Sequence, residues 1–182
     1  MLKNIIAMKL KIYDLEIDIE KGNIADQPGI DAVVNAANGQ LAPGGGVAVA
    51  IHNAAGKDLY EECKSKAPIA PGEAVITKAY NLPNKFVIHT LGPIYGKDKP
   101  EDKILRQCYQ NMIRLTEKHQ IRSVAIPAIS TGIFGYPVID AVEVVFNRIL
   151  TEAKGLKHLQ NLKFVLFSNE DLKIYKDRFA EI

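Results

Sequence analysis

Residues 32–56 carry the sequence AVVNAANGQLAPGGGVAVAIHNAAG, in which a strand, a glycine loop and a helix follow one another directly. The apolar run AVVNAA has the length of a buried strand, and a helical pattern begins at about Val47. Gly44, Gly45 and Gly46 precede that helix and let main-chain N–H groups approach a ligand, and the N-terminus of a helix attracts anions. The glycines alone fit a flexible turn equally well. They form neither a Walker-type loop nor a GxGxxG dinucleotide loop.

Two asparagines at the end of this strand favour a binding loop over a plain turn. Asn35 and Asn38 stand where an apolar side chain would pack better or a charged one would be better solvated. A side-chain amide both donates and accepts hydrogen bonds, which suits the hydroxyls of a ribose. We therefore predict that Asn35 and Asn38 contact a sugar beside the glycine loop.

A second loop, ISTGIFGYP at residues 129–137, follows the apolar segment SVAIPA. Ser130, Thr131 and Gly132 offer hydroxyls and main-chain N–H groups to a phosphate, and Phe134 is suited to wall off a sugar or a base. The STGxxG pattern alone predicts a plain turn more often than a phosphate site. Two such loops at two strand ends in one small chain favour a shared ligand cleft.

Strand and helix patterns alternate along the rest of the chain. Helical patterns cover residues 46–67, 102–120, 137–154 and 169–182, and an Asn or Asp can cap the last of them. The first two strand patterns are almost contiguous and predict an antiparallel hairpin at one edge. This alternation predicts a mixed sheet between helical layers, with ligands bound beyond the carboxyl ends of its strands. The strand patterns are 9–14, 15–20, 32–37, 72–79, 85–90, 123–128 and 163–168.

Composition sets limits on the function. The 182 residues are 47% apolar and 24% charged, which predicts one globular domain over residues 1–182. A net charge of +2 gives no reason to expect a nucleic-acid partner. No segment approaches membrane-spanning length, and charges interrupt the N-terminal segment too early for a signal peptide. Cys63 and Cys108 fit neither a disulfide framework nor a zinc site, so we expect a cytoplasmic protein without a metal.

Five motifs together resemble the macro domain family, in the order and at the spacing usual for it. They are GNI at 22–24, VVNAAN at 33–38, GGGVAVAIHNAAG at 44–56, VIHTLGP at 87–93 and IPAISTGIFGYP at 126–137. The resemblance runs from about residue 10 to the C-terminus and marks the chain as a stand-alone member. It implies a three-layer α/β/α sandwich whose mixed, mostly parallel central sheet has six or seven strands. The implied ligand is ADP-ribose or a derivative, free or on an ADP-ribosylated protein, with no cofactor.

The same resemblance assigns roles to individual residues. Asn23 stands where the family usually has an aspartate that accepts a hydrogen bond from the adenine amino group. Ile24 would pack on one face of the adenine, and Phe167 would stack on the other or else lie in the core. Asn38 would bind the terminal ribose. The two loops would enclose the diphosphate and that ribose through Gly44, Gly45, Gly46, Val47, Ser130, Thr131, Gly132, Ile133 and Phe134.

The resemblance leaves catalysis open between a hydrolase and a module that only binds ADP-ribose. Candidate substrates of a hydrolase are ADP-ribosylated acidic side chains, O-acetyl-ADP-ribose and ADP-ribose 1″-phosphate. In one subgroup an aspartate follows the GGGV motif, and Ala48 replaces it here. Asn38 and Gly45 remain as the candidate catalytic residues. We expect His52 to be a hydrogen-bonded helix residue and His89 to be a buried histidine whose partners are main-chain groups.

Overall fold

The computed structural model describes residues 7–182 and contains one mixed seven-stranded sheet. The strands lie in the order β1-β2-β7-β6-β3-β5-β4 across it. Four neighbouring pairs are parallel, and the pairs β1–β2 and β4–β5 at the two edges are antiparallel. The strands are β1 (Met8–Ile12), β2 (Leu15–Lys21), β3 (Ala32–Ala36), β4 (Ala74–Lys78), β5 (Phe86–Thr90), β6 (Ser123–Ile126) and β7 (Asn161–Leu166).

The seven strand predictions and the edge hairpin are confirmed, and the alternation of side chains explains why. Val34 and its neighbour Val33 are both fully buried but belong to two different apolar clusters, one on each face of the sheet. A strand covered on both faces must be apolar at consecutive positions. β2 instead alternates buried Ile17 and Ile19 with polar residues, because only one of its faces is covered.

Helices cover both faces of the sheet and confirm the three-layer sandwich. The first layer contains α1 (Gly46–Ala55) and α2 (Lys57–Lys64). The second contains α3 (Glu101–Lys118), α4 (Val138–Ala153) and α5 (Asn169–Phe179). Between residues 7 and 182, no helix combines the length and the apolar character that crossing a membrane requires.

Two helix predictions were wrong in detail. The pattern over residues 46–67 forms two helices, because Gly56 adopts a left-handed φ of +85° and its N–H bonds the carbonyl oxygen of His52. Such a glycine ends a helix at little steric cost. The cap of α5 is Ser168 rather than an Asn or Asp, since the Ser168 hydroxyl accepts a hydrogen bond from the N–H of Asp171 at 3.0 Å.

The sheet order determines which loops meet. The carboxyl ends of the parallel strands β2, β7, β6 and β3 lie side by side at one edge of the sheet. The segments that leave these strands carry every residue that the sequence predicts to bind a ligand, apart from those inside the strands. Loops that are distant in sequence are therefore brought to one place.

Candidate functional site

A cavity of about 660 Å³ opens at the carboxyl ends of these four strands. This is large enough for a nucleotide-sized ligand, since pockets for small molecules usually hold about 300–1,000 Å³. Both predicted loops contribute to its wall, together with the segment after β2 and the start of α5. The lining residues are 21–24, 36–38, 45–48, 50, 92, 127–134, 165, 167 and 171.

The N-terminus of α1 faces this cavity without a side-chain cap. Gly45 is the N-cap residue and provides no side-chain hydrogen bond, and the first turn contains no acidic residue. Gly46 has a left-handed φ of +55°, which favours glycine at this position. Gly45, Gly46, Val47 and Ala48 line the cavity. The unpaired N–H groups and the positive end of the helix dipole are thus available to an anion.

Gly44 lies just behind the cavity wall, against Asn38. A Cβ atom on Gly44 would lie 2.9 Å from Asn38 Nδ2, so a larger residue would displace that side chain. Asn38 itself lines the cavity, and its side-chain amide already makes two hydrogen bonds within the protein. Its Nδ2 donates to the carbonyl oxygen of Ala42 at 2.8 Å, and its Oδ1 accepts from the N–H of Ala42 at 3.1 Å. Asn38 therefore holds the loop that leads to α1 and keeps one amide hydrogen for a ligand.

The second loop is held in a strained conformation beside Gly92. Ser130 has a left-handed φ of +65°, and its buried hydroxyl has no hydrogen-bond partner among the described residues. A Cβ atom on Gly92 would lie 2.0 Å from that hydroxyl. Backbone strain of this kind costs on the order of 1–3 kcal/mol and is common at ligand sites. Ser130, Thr131 and Gly132, which the sequence predicts to contact a phosphate, line the cavity.

Ile133 brings the two loops together. Its side chain is 91% exposed. A Cβ atom on Gly45 would lie only 3.5 Å from the Cδ1 atom of Ile133. Phe134 is half-buried and also lines the cavity, so its ring forms part of the wall. The glycine loop and the second loop therefore border one hollow.

The opposite end of the cavity lies where β2 and β7 finish. Ile24 is buried and lines the cavity, whereas Phe167 is 89% exposed and lies just beyond the last residue of β7. The alternative that Phe167 belongs to the core is therefore wrong. Asn23 also lines the cavity, and its Oδ1 accepts a hydrogen bond from the N–H of Ala25 at 3.0 Å.

Asn35 does not reach the cavity, and its predicted role in sugar binding is wrong. The side chain is fully buried inside β3, and Nδ2 donates to Nδ1 of His89 on the adjacent β5 at 3.1 Å. Successive side chains of a strand point to opposite faces of the sheet, and the Asn35 side chain points into the protein interior. On the other side of the ring, Nε2 lies 2.9 Å from Thr77 Oγ1. The predicted main-chain partners of His89 are thus replaced by side chains.

Cys63 and His89 touch but do not form a nucleophile–base pair. Cys63 Sγ lies 3.7 Å from His89 Nε2. Burial raises the pKa of the Cys63 thiol to about 11 and lowers the pKa of His89 to about 3. Both groups are therefore neutral near pH 7, whereas a reactive cysteine needs a stabilised thiolate.

His52 contradicts the prediction of a hydrogen-bonded helix residue. It is buried one helical turn after Ala48, burial lowers its pKa, and neither ring nitrogen has a partner among the described residues. Residues four apart on a helix are neighbours, so an acid at position 48 would lie within reach of this ring. Across residues 7–182, no three His, Cys, Asp or Glu side chains are arranged to hold a metal ion.

Sequence reasoning missed Gly92, Lys21 and Asp171, all of which line the cavity. Gly92 belongs to the motif VIHTLGP, in which the sequence assigns no role to the glycine. Lys21 and Asp171 are the only charged side chains on the cavity wall that the structure describes. In the sequence, nothing distinguishes Asp171 from any other acid in the first turn of a helix. Only the packing of α5 beside β2 and β7 brings it to the cavity.

Sequence comparison identifies relatives over most of the chain. The sequence model of the Macro domain matches residues 34–145. A macro domain-containing protein of Chlorobaculum tepidum is 43% identical over 152 residues, which span 83% of this chain and 88% of that protein. An O-acetyl-ADP-ribose deacetylase of Enterobacter cloacae is 40% identical over 166 residues, which span 88% of this chain and 92% of that protein.

Solved structures match the fold closely. A structure of the Oceanobacillus iheyensis macrodomain with ADP superposes with a TM-score of 0.91 at 34% identity, covering 97% of this chain and 96% of that one. The Trypanosoma brucei macrodomain in complex with ADP-ribose gives a TM-score of 0.83 at 34% identity, covering 90% of this chain and 68% of that one.

Fold and cavity together define an α/β/α sandwich whose ligand cleft lies at the carboxyl ends of parallel strands, beside an uncapped helix N-terminus. The matching family model and relatives narrow that class to one family. The chain belongs to the macro domain family.

Replacing Gly92 by Ala should destabilise the second loop. The new Cβ atom would lie 2.0 Å from Ser130 Oγ and 2.7 Å from Ile129 Cγ2, and overpacking of this kind costs about 1–3 kcal/mol. For a chain of this size we expect the midpoint of thermal unfolding to fall by about 2–4 °C per kcal/mol. Gly155→Ala is the control, because its Cβ would meet only the Glu152 carbonyl at an ordinary 3.7 Å. Equal midpoints for the two variants would contradict the prediction.

The buried histidines should make the fold less stable as the pH falls from about 7 to about 5. The pKa of His89 is about 3 when folded against an ordinary value of 6.5, so only the unfolded chain gains its proton in this range. Its contribution is complete above pH 6.5 and decreases as the pH approaches 3. Urea unfolding at several pH values measures the change, and His89→Gln should show a shallower dependence. Equal dependence in both proteins would refute the assignment.

Proposed function

We propose that this chain binds ADP-ribose and its derivatives in the 660 Å³ cavity. The observation that carries the proposal is the convergence of two main-chain loops on one hollow. The uncapped N-terminus of α1 and the segment Ser130, Thr131 and Gly132 would hold the diphosphate through N–H groups. Neither loop contributes a cationic side chain to the cavity wall.

The two ends of the cavity suit the two ends of this ligand. Ile24 and the exposed ring of Phe167 form apolar surfaces at the β2 and β7 end, where a base would stack. Asn38 and Phe134 line the wall near the two loops, where the terminal ribose would lie. Solved macrodomains bound to ADP and to ADP-ribose support a ligand of this class.

We further propose slow hydrolysis of a bond to the terminal ribose. The substrate class includes ADP-ribosylated acidic side chains, O-acetyl-ADP-ribose and ADP-ribose 1″-phosphate. One bond is cleaved, and water supplies a hydroxyl group to one product and a proton to the other. The remaining amide hydrogen of Asn38 and the N–H of Gly45 would position the reacting group, and the ligand's own phosphate would hold the water. An O-acetyl-ADP-ribose deacetylase with 40% identity supports this class of reaction.

Ala48 favours a second function. In this alternative, the protein is a module that binds ADP-ribose on proteins without cleaving it. Ala48 is buried on the cavity wall and offers no general base, which typically contributes about 10²–10⁴-fold to a rate. The cavity itself is suited to either function. We propose that residues 1–182 act as one macro domain on free or protein-linked ADP-ribose. A cytoplasmic location fits the two free cysteines.

ADP-ribose should bind more tightly than AMP by about tenfold or more, because the second loop and Asn38 would add contacts to the distal phosphate and ribose. Isothermal titration calorimetry with ADP-ribose, ADP, AMP and NAD measures the series. Equal affinities for AMP and ADP-ribose would mean that the second loop does not hold the distal half of the ligand.

Ala48→Asp should raise the hydrolysis rate on a glutamate-linked ADP-ribosyl protein, since the new carboxylate would lie on the cavity wall one turn before the unpartnered ring of His52. Ala54→Asp is the matched control, because Ala54 is exposed on the same helix and does not line the cavity. Release of ADP-ribose is followed by chromatography. No turnover of wild type in long incubations with excess protein would leave the binding module as the function.

Asn38→Ala should abolish the turnover of the wild-type protein, because it removes both the amide beside the ribose and the two bonds to Ala42. Asn53→Ala is the control, since Asn53 is exposed on α1 and does not line the cavity. The same release assay compares the two variants. Full activity of Asn38→Ala would remove Asn38 from the catalytic site.

A further inference from the structure

The edge of the sheet opposite the cavity, where the parallel strands begin, forms a continuous surface that we term the amino edge. It comprises the β1–β2 turn, the segments that lead into β7, β6, β3 and β5, and the segment that leaves β4. Because it spans the five strand spacings from β2 to β4, at about 4.8 Å each, it is about 24 Å across. Hydrogen bonds of 2.8–3.1 Å hold the segments side by side, from the N–H of Glu16 to the Gln160 carbonyl, of Gln160 to the Arg122 carbonyl, of Arg122 to the Asp31 carboxylate, of Lys85 to the Asp31 carbonyl and of Ala79 to the Lys85 carbonyl.

An exposed tyrosine lies at each end of the amino edge. Tyr13 in the β1–β2 turn is 62% exposed, and Tyr80 after β4 is 39% exposed. Both have a left-handed φ of +54°, which is unfavourable for a bulky side chain and which glycine adopts freely. The Tyr80 hydroxyl donates to Glu62 Oε2 at 2.8 Å and so orients its ring. Neither packing nor local conformation favours a large ring at these two positions, and such strained residues are common at functional sites.

Cationic side chains lie between the two tyrosines. Arg122 and Lys157 are exposed, and neither side-chain charge has a hydrogen-bond or ion-pair partner among residues 7–182. Glu117 accepts hydrogen bonds from the N–H groups of residues 157–159, which places Lys157 beside the end of α3. Lys118 and Lys154 add exposed cations at the ends of α3 and α4. Four positive charges therefore lie at the centre of the amino edge.

The acids at the centre of this edge are occupied. Asp31 forms an ion pair with Lys85 at 2.8 Å, and Glu117 accepts from three main-chain N–H groups. Asp14 and Glu16 are exposed, but they lie at the β2 end. The net charge of +2 for the whole chain therefore conceals a local positive excess.

A polar hollow of about 360 Å³ opens within the amino edge. The rings of Phe86 and His119 lie on its wall, with their centroids 6.0 Å apart. Its volume falls in the range of about 300–1,000 Å³ that is usual for small-molecule pockets, so it can hold a phosphate and part of a base. The remaining lining residues are Asp31, Lys85, Gln120, Ile121 and Arg122.

We infer that the amino edge binds single-stranded nucleic acid, with phosphates at the cations and unpaired bases on the two tyrosine rings. Proteins that bind single strands combine a positively charged surface with aromatic side chains on which bases stack. A duplex hides the faces of its bases, so the exposed rings favour a single strand. The cavity lies at the carboxyl ends of the strands, so this inference does not depend on the proposed function.

A purely structural explanation covers part of the positive charge. Lys118 and Lys154 are at the carboxyl ends of helices, where cations stabilise the helix dipole. Arg122 and Lys157 lie outside the helices, and that explanation does not apply to them. Variants of these two residues therefore separate ligand binding from helix stabilisation.

The test measures the fluorescence anisotropy of a labelled oligouridine of about twelve nucleotides with the full chain. The Kd should be on the order of 1–100 µM at about 50 mM salt and rise about tenfold or more at about 200 mM salt. Arg122→Gln with Lys157→Gln should weaken binding about tenfold and reduce the slope of log K against log salt by about 1.4, since each contact contributes about 0.7. Lys97→Gln with Lys103→Gln is the matched control, because it removes two exposed cations near the carboxyl ends of the strands and should keep the wild-type affinity.

The tyrosines are tested by a second pair of variants. Tyr13→Ala should weaken the oligouridine by at least about fivefold, because it removes a stacked base. Tyr13→Phe keeps the ring and should keep the affinity. Equal affinity of Tyr13→Ala and Tyr13→Phe would remove Tyr13 from the surface that binds bases.

Four further results would overturn the inference. They are no binding at about 100 µM protein, equal binding of a duplex of the same length, equal binding of polyglutamate, and equal affinities of the two double variants. Displacement of the oligouridine by ADP-ribose would place it in the cavity and would also overturn the inference. Failure of ADP-ribose to bind at all would contradict the proposed function alone, since the oligouridine and its variants address the opposite edge of the sheet.

Discussion

The site depends on main-chain N–H groups that face a cavity without partners of their own. A helix leaves its first N–H groups unpaired, and α1 has neither a capping side chain nor an acid in its first turn. Ser130, Thr131 and Gly132 face the same hollow from the neighbouring strand. Because these N–H groups belong to the backbone, their position is set by the fold rather than by flexible side chains. An anion bound here would be held by oriented dipoles rather than by lysine or arginine.

Such an arrangement requires loops that do not move away from the cavity. Asn38 bonds the main chain of Ala42 twice and braces the loop before α1. Ser130 has a left-handed conformation, and Gly92 leaves room for its hydroxyl because it lacks a Cβ atom. The Ile133 side chain of the second loop lies next to Gly45 of the glycine loop. The glycines at these places are thus needed for close approach as much as for flexibility.

Acidic residues are distributed unusually around the cavity. The resemblance implies an acid at position 23 in the family generally and at position 48 in one subgroup, and this chain has Asn23 and Ala48 there. The acid on the cavity wall is Asp171, at the opposite end from Ala48 along the sheet. Position 48 carries no acid, and the buried ring of His52 one turn later has no partner among the described residues.

The sequence alone determined the layered fold and the two loops of the cavity wall. Strands buried on both faces are apolar at consecutive positions, and the glycine loop and the second loop each adjoin a recognisable strand, so local patterns located them. The side chains that tertiary packing alone decided are Asn35, Phe167 and Asp171. Asn35 is buried because its amide pairs with His89 on the adjacent β5, whereas Phe167 is exposed because β7 ends one residue earlier. Asp171 reaches the cavity because α5 packs beside β2 and β7, a contact between segments that no local pattern encodes.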